Sequence, residues 1–305
     1  MMSKASDNVR GVGFLVLALF TISLQTVAVK WISSDYPVLQ IVIVRSLVAL
    51  PFTLLFYRFE GGRGLPTTRQ HKLEYGRGLF LFLSYTTFMM GLVALPLADV
   101  SAIRNSGPLM ITLLSVVVLG ETVGPRRWAA LLVGFIGVLL IVRPGTGAFN
   151  LGSIFILVSV FLYALTVMVT RKLHTTDSSA TMSYYSTLVY LAGASILAPL
   201  VLLVGDMPDA HPSIAFLFRP WAMPTPLDFA IMAGLGLVWA AWMYFLARAY
   251  SLAQASVAAP FEYLTLPIDI MWGFLIWGEV PTWLTWAGAF LTIGSGLYVL
   301  YRERK

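Results

Sequence analysis

The sequence predicts an all-α polytopic membrane protein with ten transmembrane helices arranged as an inverted five-plus-five repeat. Three observations predict this fold class: a composition that is 58% apolar and 11% charged, ten apolar runs of spanning length, and two halves with matching motifs. Soluble domains carry about 45–50% apolar and about 25% charged residues. The mean hydropathy of +0.83 likewise indicates a membrane protein rather than a soluble domain. A soluble enzyme, a disordered chain and a disulfide-rich secreted domain are therefore excluded.

Each predicted span holds about 20 mostly apolar residues, which is the length that a helix needs to cross a bilayer. Turn-forming residues such as Pro37, Pro144 and the segment 278–281 separate the spans. Two longer loops are predicted at about 58–75 and 205–226, and the second is rich in proline. The predicted spans are 11–33, 38–57, 76–96, 98–119, 127–143, 151–171, 180–204, 227–249, 253–277 and 282–301.

Lysine and arginine are distributed unequally between the two sides of the predicted membrane. With the N-terminus inside, 15 of the 20 basic residues fall in cytoplasmic segments and three fall outside. Because positive residues accumulate on the cytoplasmic side, both termini are predicted to be cytoplasmic. The other two, Arg45 and Arg104, lie within apolar runs. The charges form no basic face, so the net charge of +6 does not indicate a nucleic-acid partner.

The two halves share a Gly-Glu pair that is followed, seven residues after the glutamate, by a tryptophan. Each half holds five spans, and because five is odd, the halves take opposite orientations in the membrane. Inverted repeats of this kind are typical of secondary transporters. The predicted boundary divides one membrane domain into residues 1–147 and 148–305. The matching residues are Gly120, Glu121 and Trp128 in the first half and Gly278, Glu279 and Trp286 in the second.

Further segments match a known family. They are 107–109, 119–121, 134–138, 142–145, 259–263, 277–281 and 295–303. On these residues the chain resembles an EamA-type member of the drug/metabolite transporter superfamily, over nearly its whole length. The resemblance implies ten helices, an inverted repeat and a central cavity lined mainly by helices 1, 3, 4, 6, 8 and 9. The chain departs from many relatives at Arg104-Asn105-Ser106, where they have small or apolar residues.

Ionisable residues within the spans are the first candidates for function, since each costs at least about 2.5 kcal/mol on insertion scales. A guanidinium group is well shaped to bind a carboxylate, so Arg104 is predicted to receive an anionic group of a substrate. Glu262 is predicted to receive a cationic group or a coupling proton. The candidates are Arg45, Asp99, Arg104, Glu262 and Asp269.

These charges also have structural interpretations. Arg104 and Asp269 are expected at nearly the same depth, and they could form an ion pair that joins the two halves. Glu262 and Asp269 are seven residues apart and would share one face of a continuous helix, where Asp269 would take part in coupling. Arg45 could pair with Asp35 or extend its charge towards the membrane surface.

Prolines and aromatic residues complete the candidate site. Pro260 and Pro267 flank Glu262, and a proline frees a backbone carbonyl, so a kink that opens the site is predicted, with a packing kink as the alternative. Aromatic rings within the spans could stack on a planar substrate or hold a cation, although core packing or lipid contact would also explain them. The predicted substrate-binding residues are Tyr85, Phe88, Arg104, Asn105, Tyr163, Trp239, Trp242, Phe261, Glu262 and Tyr263.

The two Gly-Glu turns, Gly120-Glu121 and Gly278-Glu279, are predicted to be structural, because a carboxylate in such a turn can accept backbone N–H bonds at a helix N-terminus. The chain has no cysteine and no clustered histidine, which argues against a thiolate metal site and a membrane-embedded enzyme. It also lacks a glycine-rich phosphate-binding motif with lysine, so transport driven by ATP is not predicted.

The sequence therefore predicts a secondary transporter of a small polar or amphipathic metabolite, such as an amino acid, in the bacterial inner membrane. That the metabolite is exported rather than taken up is predicted from the family resemblance alone. An importer of a cofactor-like metabolite, of the riboflavin or S-adenosylmethionine type, is the alternative, and a channel is a third possibility. No cofactor and no nucleic acid are expected. The expected partners are the substrate and the bilayer, with the protein a monomer or a homodimer.

Overall fold

A computed structural model describes residues 2–119, 124–146, 149–173, 176–252 and 259–303. Within these ranges every regular element is helical. The elements are α1 (Met2–Ile32), α2 (Val38–Phe59), α3 (His71–Leu92), α4 (Leu97–Arg104), α5 (Gly107–Leu119), α6 (Pro125–Val142), α7 (Leu151–Leu173), α8 (Ser179–Val204), α9 (Pro212–Phe218), α10 (Pro226–Leu252), a 3-10 helix (Ala259–Leu264), α11 (Thr265–Trp277) and α12 (Trp283–Glu303).

Several helices have the length and apolar composition of membrane spans. In the described residues four segments qualify in full: Val9–Ile32, Val38–Phe59, Leu151–Thr170 and Ala180–Val204. Shorter apolar stretches lie in α6, α10 and α11. Local sequence defines several ends: the Ser178 side chain accepts the N–H of Thr181 at the start of α8, and Gly278 ends α11 with a φ of 66°. The chain is thus an all-helical membrane protein with several spans.

The fourth predicted span is interrupted, which corrects the continuous helix expected over 98–119. A turn at Asn105 and Ser106 separates α4 from α5. Pro108, the second residue of α5, has no N–H to donate to the carbonyl of Arg104, so the helical bonding pattern cannot run through this point. The Ser106 Oγ instead donates a hydrogen bond to the carbonyl of Ile103, 2.7 Å away.

The ninth predicted span is also not one α-helix over its described length. Its first described part is the 3-10 helix, and α11 begins only at Thr265. A 3-10 helix has three residues per turn, so the α-helical spacing that was expected to bring Glu262 and Asp269 onto one face does not apply. The side chains of Pro260 and Glu262 lie outside the described residues. The long proline-rich loop, in turn, contains the short helix α9, which Pro212 begins.

Helices from the two halves of the chain pack closely against one another. Extensive contacts join α1 with α10, α2 with α8, α3 with α7, and α6 with α12. Glycines permit the closest of these approaches: a Cβ atom on Gly137 would lie 2.7 Å from the carbonyl oxygen of Gly288, and one on Gly288 would lie 2.5 Å from that of Gly137. The α6–α12 contact is further tied by Thr292, whose hydroxyl donates to the carbonyl of Gly134 at 3.3 Å.

Candidate functional site

A cavity of about 360 Å³ lies among α1, α3, α5, α7, α8, α10 and the junctions of the two interrupted spans. This volume falls within the range of small-molecule sites. Both interruptions contribute to the wall: Asn105 lies at the α4–α5 break, and Tyr263 and Thr265 lie where the 3-10 helix joins α11. Backbone that leaves the α-helix at membrane depth is typical of cavity walls and transporter sites.

One wall of the cavity is aromatic. The rings of Tyr85, Tyr190 and Trp239 are in mutual contact, with centroid distances of 5.8 Å, 5.9 Å and 6.3 Å. Trp242 extends the wall along α10, and its ring lies 5.0 Å from that of Trp239. Rings in this arrangement offer flat apolar surfaces to a planar ligand.

Polar groups line the rest of the cavity. Gln25 and Thr26 come from α1, and Asn105 comes from the α4–α5 break. Ser84 on α3 donates a hydrogen bond to the carbonyl of Ser159 on α7 at 2.9 Å. The Oε1 atom of Gln25 and the Nδ2 atom of Asn105 are buried without a hydrogen-bond partner. Buried polar atoms without partners are costly, so the cavity is suited to a ligand that satisfies them.

Arg104 borders the cavity, and its guanidinium carbon lies 5.4 Å from the ring centroid of Phe88. Asp269, on α11, is buried within electrostatic reach of Arg104, although no ion pair within 4 Å forms between them. The carboxylate of Asp269 instead accepts a hydrogen bond from the hydroxyl of Ser23 at 2.9 Å. The close Arg104–Asp269 pair considered from the sequence is therefore a longer-range interaction, with α1 as the direct partner of Asp269.

Arg45 is placed differently from either expectation. Its side chain is 1% exposed and neither extends to the surface nor forms an ion pair with Asp35. Its guanidinium carbon lies 4.0 Å from the ring centroid of Tyr85, 4.7 Å from that of Trp239 and 5.1 Å from that of Tyr190. Arg45 is therefore enclosed by the same rings that line the cavity.

Most of the predicted substrate-binding residues lie around this cavity. Phe261 does not line it and is 36% exposed. Pro267 lies in α11 outside the lining, and the side chains of Pro260 and Glu262 lie outside the described residues. Those in the lining are Tyr85, Phe88, Arg104, Asn105, Tyr163, Trp239, Trp242 and Tyr263.

The sequence analysis missed several lining residues. Gln25 and Thr26 had a usable signal, because a polar pair within an apolar run is costly unless it is satisfied. Tyr190 and Ser159 had none, since aromatic and hydroxyl residues are frequent in membrane helices. Their contribution depends on how α8 and α7 are rotated against α3.

Glu279 joins the two halves of the chain through Lys30 on α1 and the start of α4. Its carboxylate accepts a hydrogen bond from Lys30 at 2.5 Å and another from the backbone N–H of Leu97 at 2.7 Å. Lys30 also donates to the carbonyl of Leu95 at 3.0 Å. The Glu279 carboxylate thus binds the N-terminus of α4, a helix of the other half of the chain. The corresponding pair in the first half, Gly120 and Glu121, lies outside the described residues.

Arg77, a buried residue near the N-terminus of α3, joins this helix to α7 and α8. The Nε of Arg77 donates to the hydroxyl of Thr170 at 2.8 Å, and its Nη1 donates to the carbonyl of Met182 at 3.0 Å and the hydroxyl of Ser186 at 2.6 Å. Glu74, which precedes the third predicted span, is buried beside it with both carboxylate oxygens unpartnered. Burial raises the pKa of Glu74 to about 7, against the opposing effect of Arg77.

No group of three histidine, aspartate or glutamate side chains suited to a metal ion occurs within the described part of the chain. The arrangement instead offers aromatic surfaces, unsatisfied hydrogen-bonding groups and one bordering guanidinium. Such a site can bind and orient an amphipathic molecule.

Comparison with known proteins gives a family match over most of the chain. The model of the EamA-like transporter family matches residues 9–143 and 150–301. The S-adenosylmethionine uptake transporter of Rickettsia prowazekii is 27% identical, over 100% of this chain and 97% of the relative. The riboflavin transporter of Vibrio cholerae is 29% identical over 88% and 85%. The pseudopaline exporter of Pseudomonas aeruginosa is 28% identical over 93% of both chains.

A solved structure titled "Crystal structure of protein" has the same fold. Its TM-score against this chain is 0.61, at 16% identity, and the match covers 98% of both chains.

Proposed function

The chain belongs to the EamA-like transporter family, and on that premise we propose that it is a secondary carrier of a small amphipathic metabolite that works by alternating access. The observation that carries this proposal is the cavity, which is walled by aromatic rings from both halves of the chain and by unsatisfied polar groups of Gln25 and Asn105. Family membership and the names of the relatives indicate a transporter rather than an enzyme.

We further propose that ten spans form an inverted repeat, with residues 1–147 and 148–305 as its halves. The packing supports this arrangement because its helix contacts occur in corresponding pairs. If α1, α2 and α3 correspond to α7, α8 and α10, then the contact of α3 with α7 is the counterpart of the contact of α1 with α10. The contact of α2 with α10 is likewise the counterpart of that of α3 with α8.

The α6–α12 contact gives the same support at the level of residues. The Gly-Glu-Trp motifs are offset by 158 positions, and the hydrogen bond from Thr292 to Gly134 joins residues separated by that offset. Two positions related by the symmetry meet each other only near the axis. This contact therefore favours a two-fold axis that passes between α6 and α12.

We place the protein in the inner membrane of a bacterium, with both termini in the cytoplasm, on the distribution of basic residues. In this orientation the Lys30–Glu279 pair lies near the outer surface and Glu74 lies near the inner one. The first substrate to test is S-adenosylmethionine, and the first direction is uptake, because a relative whose match covers 100% of this chain carries that name. A planar base would stack on the aromatic wall, and a carboxylate would meet hydrogen-bond donors.

Export of an amino-acid-like metabolite remains the second candidate, and the relative named as a pseudopaline exporter favours it. The cavity suits either direction, since alternating access is reversible and the gradients set the net flux. In both cases Glu262 is proposed to take part in coupling, with Pro260 and Pro267 shaping the backbone around it.

The test is counterflow into liposomes that contain the purified full-length protein. Vesicles are preloaded with S-adenosylmethionine, riboflavin or single amino acids, and entry of the matching tracer is followed with and without a pH gradient. We expect saturable exchange of one compound.

Trp242→Leu should raise the KM of that compound roughly tenfold, since a stacking surface is lost. Trp283→Leu is the matched control, because Trp283 is exposed at the start of α12. A folded protein that exchanges none of these compounds would contradict the proposed substrates, and currents far above carrier turnover would indicate a channel.

A further inference from the structure

The guanidinium of Arg45 is a buried charge with unused hydrogen-bonding capacity. The side chain is 1% exposed, and its Nε and Nη1 atoms donate no hydrogen bond. Among the residues that the structure describes, no carboxylate oxygen lies within 4 Å of it. Its close contacts are the faces of Tyr85, Trp239 and Tyr190, and the Tyr190 hydroxyl is also within hydrogen-bonding reach. Aromatic faces attract a cation but accept hydrogen bonds poorly, so the charge is only partly compensated.

Other basic side chains within the helix bundle are compensated more fully. Lys30 binds a carboxylate directly, Arg77 donates three hydrogen bonds, and Arg104 lies within electrostatic reach of a carboxylate. Arg45 differs from these three because nothing described around it supplies a negative charge. The carboxylates concerned are those of Glu279 for Lys30, Glu74 for Arg77 and Asp269 for Arg104.

Most of the unsatisfied polar groups described at the cavity wall and on Arg45 are able to donate hydrogen bonds. The hydroxyl of Tyr85, whose ring lies against the guanidinium, is buried without a partner, and so is the Nδ2 of Asn105. With the two nitrogens of Arg45, these groups form a set of donors, whereas Gln25 is the one nearby lining residue described with an unsatisfied carbonyl oxygen. A carboxylate brings two oxygens that accept hydrogen bonds and the missing negative charge.

On the basis of the function proposed above, we propose that Arg45 and the Tyr85 hydroxyl form the subsite for the substrate's carboxylate. Arg45 is thus a specificity-determining residue. Tyr85 and Trp239 both line the cavity and pack on Arg45, so a carboxylate reaches the guanidinium by displacing a ring contact. Because this chain's own cation already lies on these rings, a positive group of the substrate is directed away from them, towards Trp242 and Tyr163.

This assignment differs from that made on sequence, which gave the anionic group to Arg104. Asp269 already compensates Arg104, so a substrate anion gains less there. Assigning the carboxylate to Arg45 and assigning it to Arg104 therefore predict different results for the same pair of ligands. S-adenosylmethionine and its decarboxylated analogue differ in one carboxylate, while the sulfonium, the amine and the adenosine are shared.

Counterflow in liposomes compares these two compounds in the wild type, Arg45→Met and Arg104→Met. We expect the wild type to prefer S-adenosylmethionine over the analogue by about ten- to a hundredfold in KM, the range of a hydrogen-bonded charge. Arg45→Met should remove this preference by weakening S-adenosylmethionine alone, and Arg45→Lys should restore part of it. Arg104→Met should retain the preference. Loss of the preference in Arg104→Met with retention in Arg45→Met overturns the proposal.

A second measurement needs no ligand and separates this proposal from the proposed substrate. If Arg45 binds the carboxylate of the substrate, its only partly compensated charge destabilises the protein without substrate. Arg45→Met should then unfold at the same temperature as the wild type or higher. Arg77→Met is the matched control and should unfold at a lower temperature, because three hydrogen bonds are lost. If the wild type transports neither compound, the proposed substrate is wrong, and the melting temperatures alone decide the role of Arg45. A melting temperature of Arg45→Met below that of the wild type would assign Arg45 a structural role.

Discussion

Replacing Glu279 by glutamine should loosen the contact that joins the two halves near the proposed outer surface. The glutamate carboxylate holds Lys30 at 2.5 Å and the backbone N–H of Leu97 at 2.7 Å. A glutamine oxygen can still accept the N–H of Leu97, but the charge that holds Lys30 is lost. Lys30 then keeps only the carbonyl of Leu95 and the ring of Trp277, whose centroid lies 4.9 Å from its Nζ.

The magnitude follows from the burial of the pair, whose side chains are 11% and 20% exposed. Exposed pairs contribute about 0–1 kcal/mol, and removal of one partner of a fully buried pair costs about 3–5 kcal/mol. We therefore expect a loss of about 2 kcal/mol from the state in which this contact is closed. That loss corresponds to a shift of roughly 30-fold in the equilibrium between the closed and open arrangements.

Cysteine labelling measures this shift directly because the chain has no cysteine of its own. Thr26→Cys places a thiol in the cavity wall, and a membrane-impermeant maleimide is applied to intact cells. We expect labelling to accelerate by about the same 30-fold when Glu279→Gln is added. Glu60→Gln is the control, since Glu60 also accepts a backbone N–H, that of Ala180 at 3.3 Å, away from this contact. Equal labelling rates in Glu279→Gln and the parent would refute the role assigned to the pair.

Two further predictions concern stability. The raised pKa of Glu74 means that the folded protein favours its protonated form, so its contribution to stability is present below the ordinary pKa of 4.5 and is lost as the pH rises through about 7. The melting temperature in detergent should therefore fall less between pH 5.5 and 8.5 in Glu74→Gln than in the wild type, and an equal fall would contradict the assignment. Gly137→Ala should cost about 1–3 kcal/mol, because its Cβ meets the backbone oxygen of Gly288 at 2.7 Å. Gly294→Ala on the same helix pair meets nothing within 4 Å and should melt like the wild type.

Particular residues show how far sequence reasoning reached into the site. Arg104 was selected because an ionisable group at membrane depth is costly, and both Arg104 and Asn105, which was predicted beside it in the site, border the cavity. The same argument applies to Gln25, which was passed over. Arg45 was recognised as a charge within an apolar run, but it was expected to pair with Asp35 or to extend towards the membrane surface. Its three aromatic neighbours instead come from α3, α8 and α10. Nothing in the sequence around position 45 points to positions 85, 190 and 239.

By itself the sequence determined that this protein is a helical membrane protein, and it located the apolar segments and the prolines within them, but it did not predict that the fourth span would be interrupted. Those features depend on local chemistry: apolar side chains dissolve in lipid, and a proline cannot donate a backbone hydrogen bond wherever it occurs. Only the tertiary structure decided which faces of α1, α3, α7, α8 and α10 surround the cavity. Those faces are set by packing between helices that are far apart in the chain. Lipid and protein interior are nearly equally favourable surroundings for an apolar side chain. Apolar composition alone therefore cannot distinguish a ring in the cavity wall from one that faces the bilayer.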